Sequence, residues 1–161
     1  MSTPTPAQII VAALRASGEN VSVAESLTAG GVGVAITSVP GSSDVFVGGL
    51  TAYQSRIKEE YLKVPRALID EHGVVSEEVA SAMADGARKF FKSTWAIATT
   101  GVAGPGAADG IPAGTVWVAI SGPVSQTTQL EIQGDREVVR NATISSAITA
   151  FARILSSREG K

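Results

Sequence analysis

Apolar residues Ile9, Ile10, Ala13 and Leu14 recur at helical intervals behind Thr5-Pro6 and stop at Gly18. This pattern predicts a first helix with Thr5 as N-cap and Pro6 in its first turn. Val21 and Val23 alternate with polar Asn20 and Ser22, which predicts a short strand ending at Ala24-Glu25. Residues 27–39 are small and apolar on all sides, and Pro40-Gly41 closes them. They read as a second helix carrying Gly30, Gly31 and Gly33. Each glycine costs a helix about 1 kcal/mol against alanine. Such a helix is expected to press on another backbone or on a ligand, and the sequence leaves both open. Residues 45–53 are β-branched and aromatic enough for a strand, with Gly48-Gly49 marking a bulge or a close approach.

Polar residues 54–60 follow, and Val64-Pro65 breaks the chain before a short helix ending at His72. Ser76 then caps a helix from Glu77 to about Phe91, with Val79, Met83, Ala87 and Phe90 as its buried stripe. Trp95–Thr100 reads as a strand running into Gly101–Gly106 and a loop as far as Pro112. Thr115–Ile120 is continuously apolar and so belongs inside the sheet. A turn at 121–125 leads to Gln126–Ile132, where alternation with polar residues predicts an edge strand. Gly134-Asp135 starts a last long helix with a stripe at Val138, Ala142, Ser145, Ile148, Phe151 and Leu155. Helices interleaved with strands predict an α/β fold, a three-layer α/β/α sandwich with a mixed, mostly parallel sheet. The expected organisation is a disordered tail over 1–5, one domain over 6–157 and a frayed end over 158–161.

Composition narrows the chemistry. The chain has 161 residues, 44% of them hydrophobic and only 17% charged, against about 25% charged in an ordinary soluble domain. A net charge of −2 and a pI near 5.4 provide no basic footprint for nucleic acid. No apolar run approaches the roughly 18–20 residues of a membrane span, and the start Met1–Pro6 does not resemble a signal peptide. A cytoplasmic protein without nucleic-acid or membrane partners is expected. There is no cysteine, which removes disulfides, zinc–thiolate sites and thiol nucleophiles. The single histidine, His72, precedes Gly73 and reads as a helix C-terminal residue. Any chemistry must then rely on hydroxyls, Lys, Arg, carboxylates and backbone N–H groups.

Thr100–Gly106 invites a dinucleotide-binding reading, but its spacing is G-x-x-G-x-G and a polar loop follows it rather than a helix. No G-x-x-x-x-G-K-[ST] run occurs either. A glycine loop that offers backbone N–H groups to an anion or a carbonyl remains. Ser26 falls where the first strand hands over to the second helix, so it is expected at a helix N-terminus, with the amides of 27–29 unpaired beside its hydroxyl. Serine at such a position is also an ordinary N-cap.

The motifs Val23–Gly31, Pro40–Ser43, Gly48-Gly49 through Tyr53 to Lys58, Gly73–Ser76, Thr100–Pro105 and Gly114–Val116 occur in that order. Together, over about residues 6–157, they resemble the CinA C-terminal domain family, the nicotinamide-nucleotide amidases. Fuller members of that family carry a large preceding domain, so the resemblance is to its stand-alone form. It implies hydrolysis of the carboxamide of nicotinamide mononucleotide to nicotinate mononucleotide and ammonia, in pyridine nucleotide recycling. It also implies that catalysis falls on Ser26, Lys58, Thr100 and Arg140, with Tyr53 and Glu25 close by. One departure is visible: Gln54-Ser55 stands where the family pattern has Ser-Asn after the tyrosine.

Amide hydrolysis needs a nucleophile, a proton acceptor and donors for the developing oxyanion. A Ser26–Lys58 pair meets the first two needs if burial or a nearby charge, for which Arg140 is the candidate, keeps Lys58 neutral. Ser26 attacks directly or, in a second variant, only positions water. The oxyanion donors are the amides of 27–28 or 101–104, or the Thr100 hydroxyl. Candidate phosphate sites are the helix start with Thr28, Gly30 and Gly31, the loop with Gly101, Ala103 and Gly104, and Arg136 or Arg140 one turn apart. No metal or cofactor is required, and a homo-oligomer, such as a dimer, is expected from the apolar surplus. The competing readings are a catalytically inactive nucleotide-binding module of the same fold and an interaction scaffold. Ammonia release separates the first from an enzyme, and nucleotide binding separates the second from both.

Overall fold

A computed structural model describes residues 2–159, without the side chain of Glu159. The first helix, α1 (Pro6–Ser17), is held by a capping box between Thr5 and Gln8 and ends on Gly18 in a left-handed conformation. Strand β1 (Val21–Glu25) follows and is buried at every position. Helix α2 spans only Gly31–Thr37, so residues 26–30 form a turn instead of the predicted first helical turn. Strand β2 (Phe46–Thr51) pairs with β1, and the expected irregularity lies before Gly48, where the register slips between Val21 and Ser22.

Two short helices come next, α3 (Ser55–Glu60) in the segment read only as polar, and α4 (Arg66–His72). Helix α5 (Glu77–Phe91) starts where Ser76 accepts from the Val79 amide. Strands β3 (Trp95–Gly101), β4 (Thr115–Ser121) and β5 (Gln126–Glu131) precede the long α6 (Arg136–Glu159). The sheet order is β2-β1-β3-β4-β5. β1 runs parallel to both β2 and β3, whereas β4 opposes β3 and β5, so four of the five strands share one direction.

Side-chain size differs between the two faces of this sheet. Val21, Val23, Trp95, Ile97, Val116, Val118 and Ile120 point into one core with α1, α2 and α6. Ala24, Ala96, Ala98 and Ala119 point the other way, against Val79, Ala80, Met83, Ala84 and Ala87 of α5. The alternation on β3, Trp-Ala-Ile-Ala, therefore gives one face bulk and lets a single helix lie close on the other. At Gly86 of α5 a Cβ would collide with the Leu62 backbone, so the chain after α3 crosses the helix directly there.

Three helical positions depart from the predicted stripes. Phe90 is 51% exposed and stacks edge-on to Phe91. In α6 the buried line runs through Val139, Thr143 and Ala147, leaving Val138 and Ser145 exposed, whereas Ile148, Phe151 and Leu155 are buried as expected. The chain is not frayed at Arg158: its guanidinium grips both Glu19 carboxylate oxygens, at 2.8 and 3.1 Å, and sits 5.1 Å from the Trp95 ring centroid. The expected fraying at Gly160 and Lys161, and Met1 of the tail, lie outside the described residues. Among the described residues no helix is long and apolar enough to cross a membrane.

Candidate active site

Lys58 sits near the end of α3 and is 2% exposed, although Arg56 and Glu60 on the same short helix are exposed. Its Nζ donates to the carbonyls of Ala52 at 2.7 Å and Tyr53 at 3.0 Å, and lies 3.2 Å from Ser26 Oγ. Burial pushes its pKa down from the usual lysine value to about 8. No cationic neighbour contributes to that shift, so the expected charge effect of Arg140 is replaced by desolvation. In the neutral form the geometry has one consistent arrangement. Carbonyls only accept, so Ala52 and Tyr53 take both N–H groups, and the lone pair is left for the Ser26 hydroxyl.

Ser26 opens the turn between β1 and α2, and its amide donates to Thr99 O at 3.0 Å and Thr99 Oγ1 at 3.3 Å. Thr99 Oγ1 in turn pairs with Thr28 Oγ1 at 2.8 Å, and Thr28 donates to Glu25 Oε1 at 2.6 Å. Because the last acceptor is a carboxylate, the hydroxyls orient in one direction, from the Ser26 amide to Glu25. The same carboxylate receives the Val32 amide at 2.8 Å and the Gly33 amide at 3.1 Å. Glu25 thus occupies the start of α2 that sequence reading offered to a phosphate, and the helix begins five residues after Ser26 instead of beside it. Within the turn Ala29 and Gly30 have positive φ, +48° and +100°. Ala29 and Gly31 donate back to Ser26 and Thr28, and among the described residues the amides of Leu27 and Thr28 have no hydrogen-bond acceptor.

A cavity of about 390 Å³ opens over this pair, within the usual roughly 300–1,000 Å³ of small-molecule sites. Ser26, Lys58, Tyr53, Thr100, Arg136 and the loop containing Gly101, Ala103 and Gly104 all line it. Thr100 donates its hydroxyl proton to Val74 O at 2.7 Å, so it presents the cavity with an acceptor and is not free as an oxyanion donor. Arg136 bridges two walls, donating to Gly104 O at 2.7 Å and to the Tyr53 hydroxyl at 3.0 Å.

The remaining predicted site residues lie elsewhere. Glu25 is buried beneath the turn, and Thr28, Gly30, Gly31 and Arg140 line a separate, shallower groove behind it. Arg140 Nε donates to Leu27 O at 2.9 Å. The cavity also includes Ser55, His72, Val74, Val75 and Asp109, which sequence reading did not select. His72 stood out as the single histidine, Ser55 as part of the departure from the family pattern and Val74-Val75 within the Gly73–Ser76 motif; the His72 ring lies 3.7 Å from Glu71 and 3.6 Å from Glu78. Among the described residues no three His, Asp or Glu side chains converge as metal ligands.

Comparison with known proteins follows the same outline. The sequence profile of the CinA C-terminal domain matches residues 4–155. A CinA-like protein of Parasynechococcus marenigrum is 44% identical over 153 residues, covering 92% of this chain and 36% of that protein. One from Anaeromyxobacter is 45% identical over 143 residues, covering 87% and 35%. This chain therefore spans about a third of the length of these curated relatives. Among solved structures, a CinA superfamily protein from Klebsiella pneumoniae superposes with a TM-score of 0.90 at 29% identity, covering 94% of this chain and 96% of that one. The competence/damage inducible protein CihA from Agrobacterium tumefaciens gives 0.88 at 30% identity, covering 97% and 99%. With the profile spanning nearly every residue and the fold shared, this chain belongs to the CinA C-terminal domain family.

Proposed function

We propose that the protein is a Ser–Lys amidohydrolase that converts nicotinamide mononucleotide and water to nicotinate mononucleotide and ammonia. The observation that carries this reading is the buried Lys58 Nζ, 3.2 Å from Ser26 Oγ with its two other hydrogen bonds made to carbonyls. Ser26 Oγ attacks the carboxamide carbon while its proton passes to Lys58 Nζ. The negative charge that develops on the carboxamide oxygen is met by the Leu27 amide, which has no acceptor among the described residues. When the tetrahedral intermediate collapses the C–N bond breaks, and the Lys58 proton leaves with the nitrogen as ammonia. Water then attacks the acyl ester, giving its proton to Lys58, and Ser26 departs with a proton returned from the same amine. The phosphate is read by Arg136 at the rim, whose guanidinium keeps N–H donors beyond the two used by Gly104 and Tyr53.

The experiment is ammonia release by the purified protein from nicotinamide, its riboside, its mononucleotide and NAD. Turnover fastest with the mononucleotide, and lost in a folded Ser26→Ala variant, is expected. Mononucleotide binding without ammonia release from any of the four amides would instead make it a binding module.

A further inference from the structure

Charges of both signs line the Ser26–Lys58 cavity at its exposed edge without pairing with each other. Arg136 is exposed and spends two donors on Gly104 O and the Tyr53 hydroxyl. Asp109 is exposed too, and among the described residues it is the one carboxylate that lines this cavity. No side-chain hydrogen bond or ion pair among the described residues takes up its oxygens. The main chain fixes where it stands. Ala108 and Ile111 exchange backbone hydrogen bonds of 3.0 and 2.9 Å, and Asp109 and Gly110 between them have φ of +51° and +77°. This is a two-residue hairpin turn with positive φ at both central positions, a conformation that Asp-Gly favours. Ala107, Ala108 and Ile111, on either side of the tip, line the same cavity.

Burial sets the order in which a mononucleotide fills the cavity. Ser26, Lys58 and Thr100 are buried, so the carboxamide enters first. Val102 and Ala103, each 6% exposed, give the wall apolar side chains suited to the ring. The phosphate stays outermost, with Arg136. Ribose joins ring to phosphate, so its 2′ and 3′ hydroxyls come level with the exposed part of the wall, where Asp109 stands. A carboxylate only accepts hydrogen bonds, and a ribose diol offers two donors to its two oxygens. We propose that Asp109 is a specificity-determining residue, which accepts from the ribose hydroxyls and so selects ribosylated amides over free nicotinamide.

This inference rests on the proposed function for its ligand but not for turnover, so it is tested with the reaction product, which has no amide to cleave. Calorimetry measures the binding of nicotinate mononucleotide and of its 2′,3′-dideoxy form to the wild type, Asp109→Asn and Asp109→Gly. Asn-Gly and Gly-Gly both suit this turn, so the hairpin survives either change. The wild type is expected to bind the form with both hydroxyls about 10-fold more tightly, the worth of one charged hydrogen bond. Asp109→Gly is expected to abolish that preference, and Asp109→Asn, which keeps one acceptor oxygen, to retain part of it. A preference that persists in Asp109→Gly overturns the proposal, as does a wild type that binds both forms alike or neither. A preference that depends on Asp109, with no ammonia released from any amide, keeps the proposal and overturns the amidase reading instead.

Discussion

Arg136, in the first turn of α6, donates to the Tyr53 hydroxyl at 3.0 Å and so joins the last helix to the segment that follows β2. It is a surface residue, yet among the described residues it is the one arginine that lines the candidate cavity. Arg136→Ala is expected to raise KM for the mononucleotide about 10- to 100-fold, the worth of one charged hydrogen bond, and to leave the riboside nearly unaffected. Steady-state kinetics on the two substrates checks this. Equal losses on both would show that Arg136 shapes the cavity without reading phosphate.

The pH profile follows from Lys58. Only its neutral form accepts a proton, so kcat/KM for the mononucleotide is expected to climb as pH rises and to level off above about 8. Stability has a related slope. The folded pKa lies below the unfolded one, so the unfolded chain binds more protons between about pH 8 and 10.5, and unfolding free energy rises with pH across that window. Urea titrations at several pH values should show this rise in the wild type and its absence in Lys58→Met.

Glu25 is absent from the lining of the Ser26–Lys58 cavity, but it accepts three hydrogen bonds while 1% exposed. Glu25→Gln places an N–H₂ group against donors that need an acceptor. A stability loss on the order of 2–3 kcal/mol is expected, together with lower turnover as the Thr28–Thr99 chain loosens. Chemical denaturation measures the first effect and ammonia release the second.

Arg158 and Glu19 offer a test remote from the site. The guanidinium holds the Glu19 carboxyl below its usual pKa, so this contribution to stability is complete above about pH 4.5 and fades as pH falls through the lowered value. Arg158→Ala should therefore lower the melting temperature at pH 7 and converge with the wild type in acid. Calorimetry at pH 7 and pH 3 checks the convergence.

Much of the fold was legible because its punctuation is local. Thr5-Pro6, Gly18 and Ser76 each satisfy helix-end groups within a few residues, and the helices they bound appear where the pattern places them. The start of α2 was not legible, since its cap is a carboxylate on the preceding strand and the segment 27–39 is apolar on every side. Adjacent apolar pairs defeated the phase of two stripes: Phe90 or Phe91, and Val138 or Val139, fit the periodicity equally, and the packing chose the second of each. Ser26 stood out by its place after the first strand, and Lys58 only through the family resemblance. The polar run Gln-Ser-Arg-Ile-Lys-Glu-Glu carries no mark of burial, because the groups that hold Lys58 are main-chain carbonyls, which have no letter in a sequence. Arg140, expected at the catalytic centre or on the phosphate, lines the groove behind the turn and donates to the Leu27 carbonyl, another main-chain partner with no letter in the sequence.

The alanine face of the sheet has a consequence for the amine on its far rim. Ala24, Ala96, Ala98 and Ala119 set how closely α5 approaches; Gly86 on that helix abuts Leu62, and Val64 two residues later donates its amide to the Lys58 carbonyl at 3.1 Å. A larger side chain at Ala96 or Ala98 is expected to lift α5, relax that segment and let water reach Lys58, moving the alkaline midpoint of activity toward the value of free lysine. The proton affinity of Lys58 is in this sense a dimension of the scaffold, adjustable from positions outside the cavity.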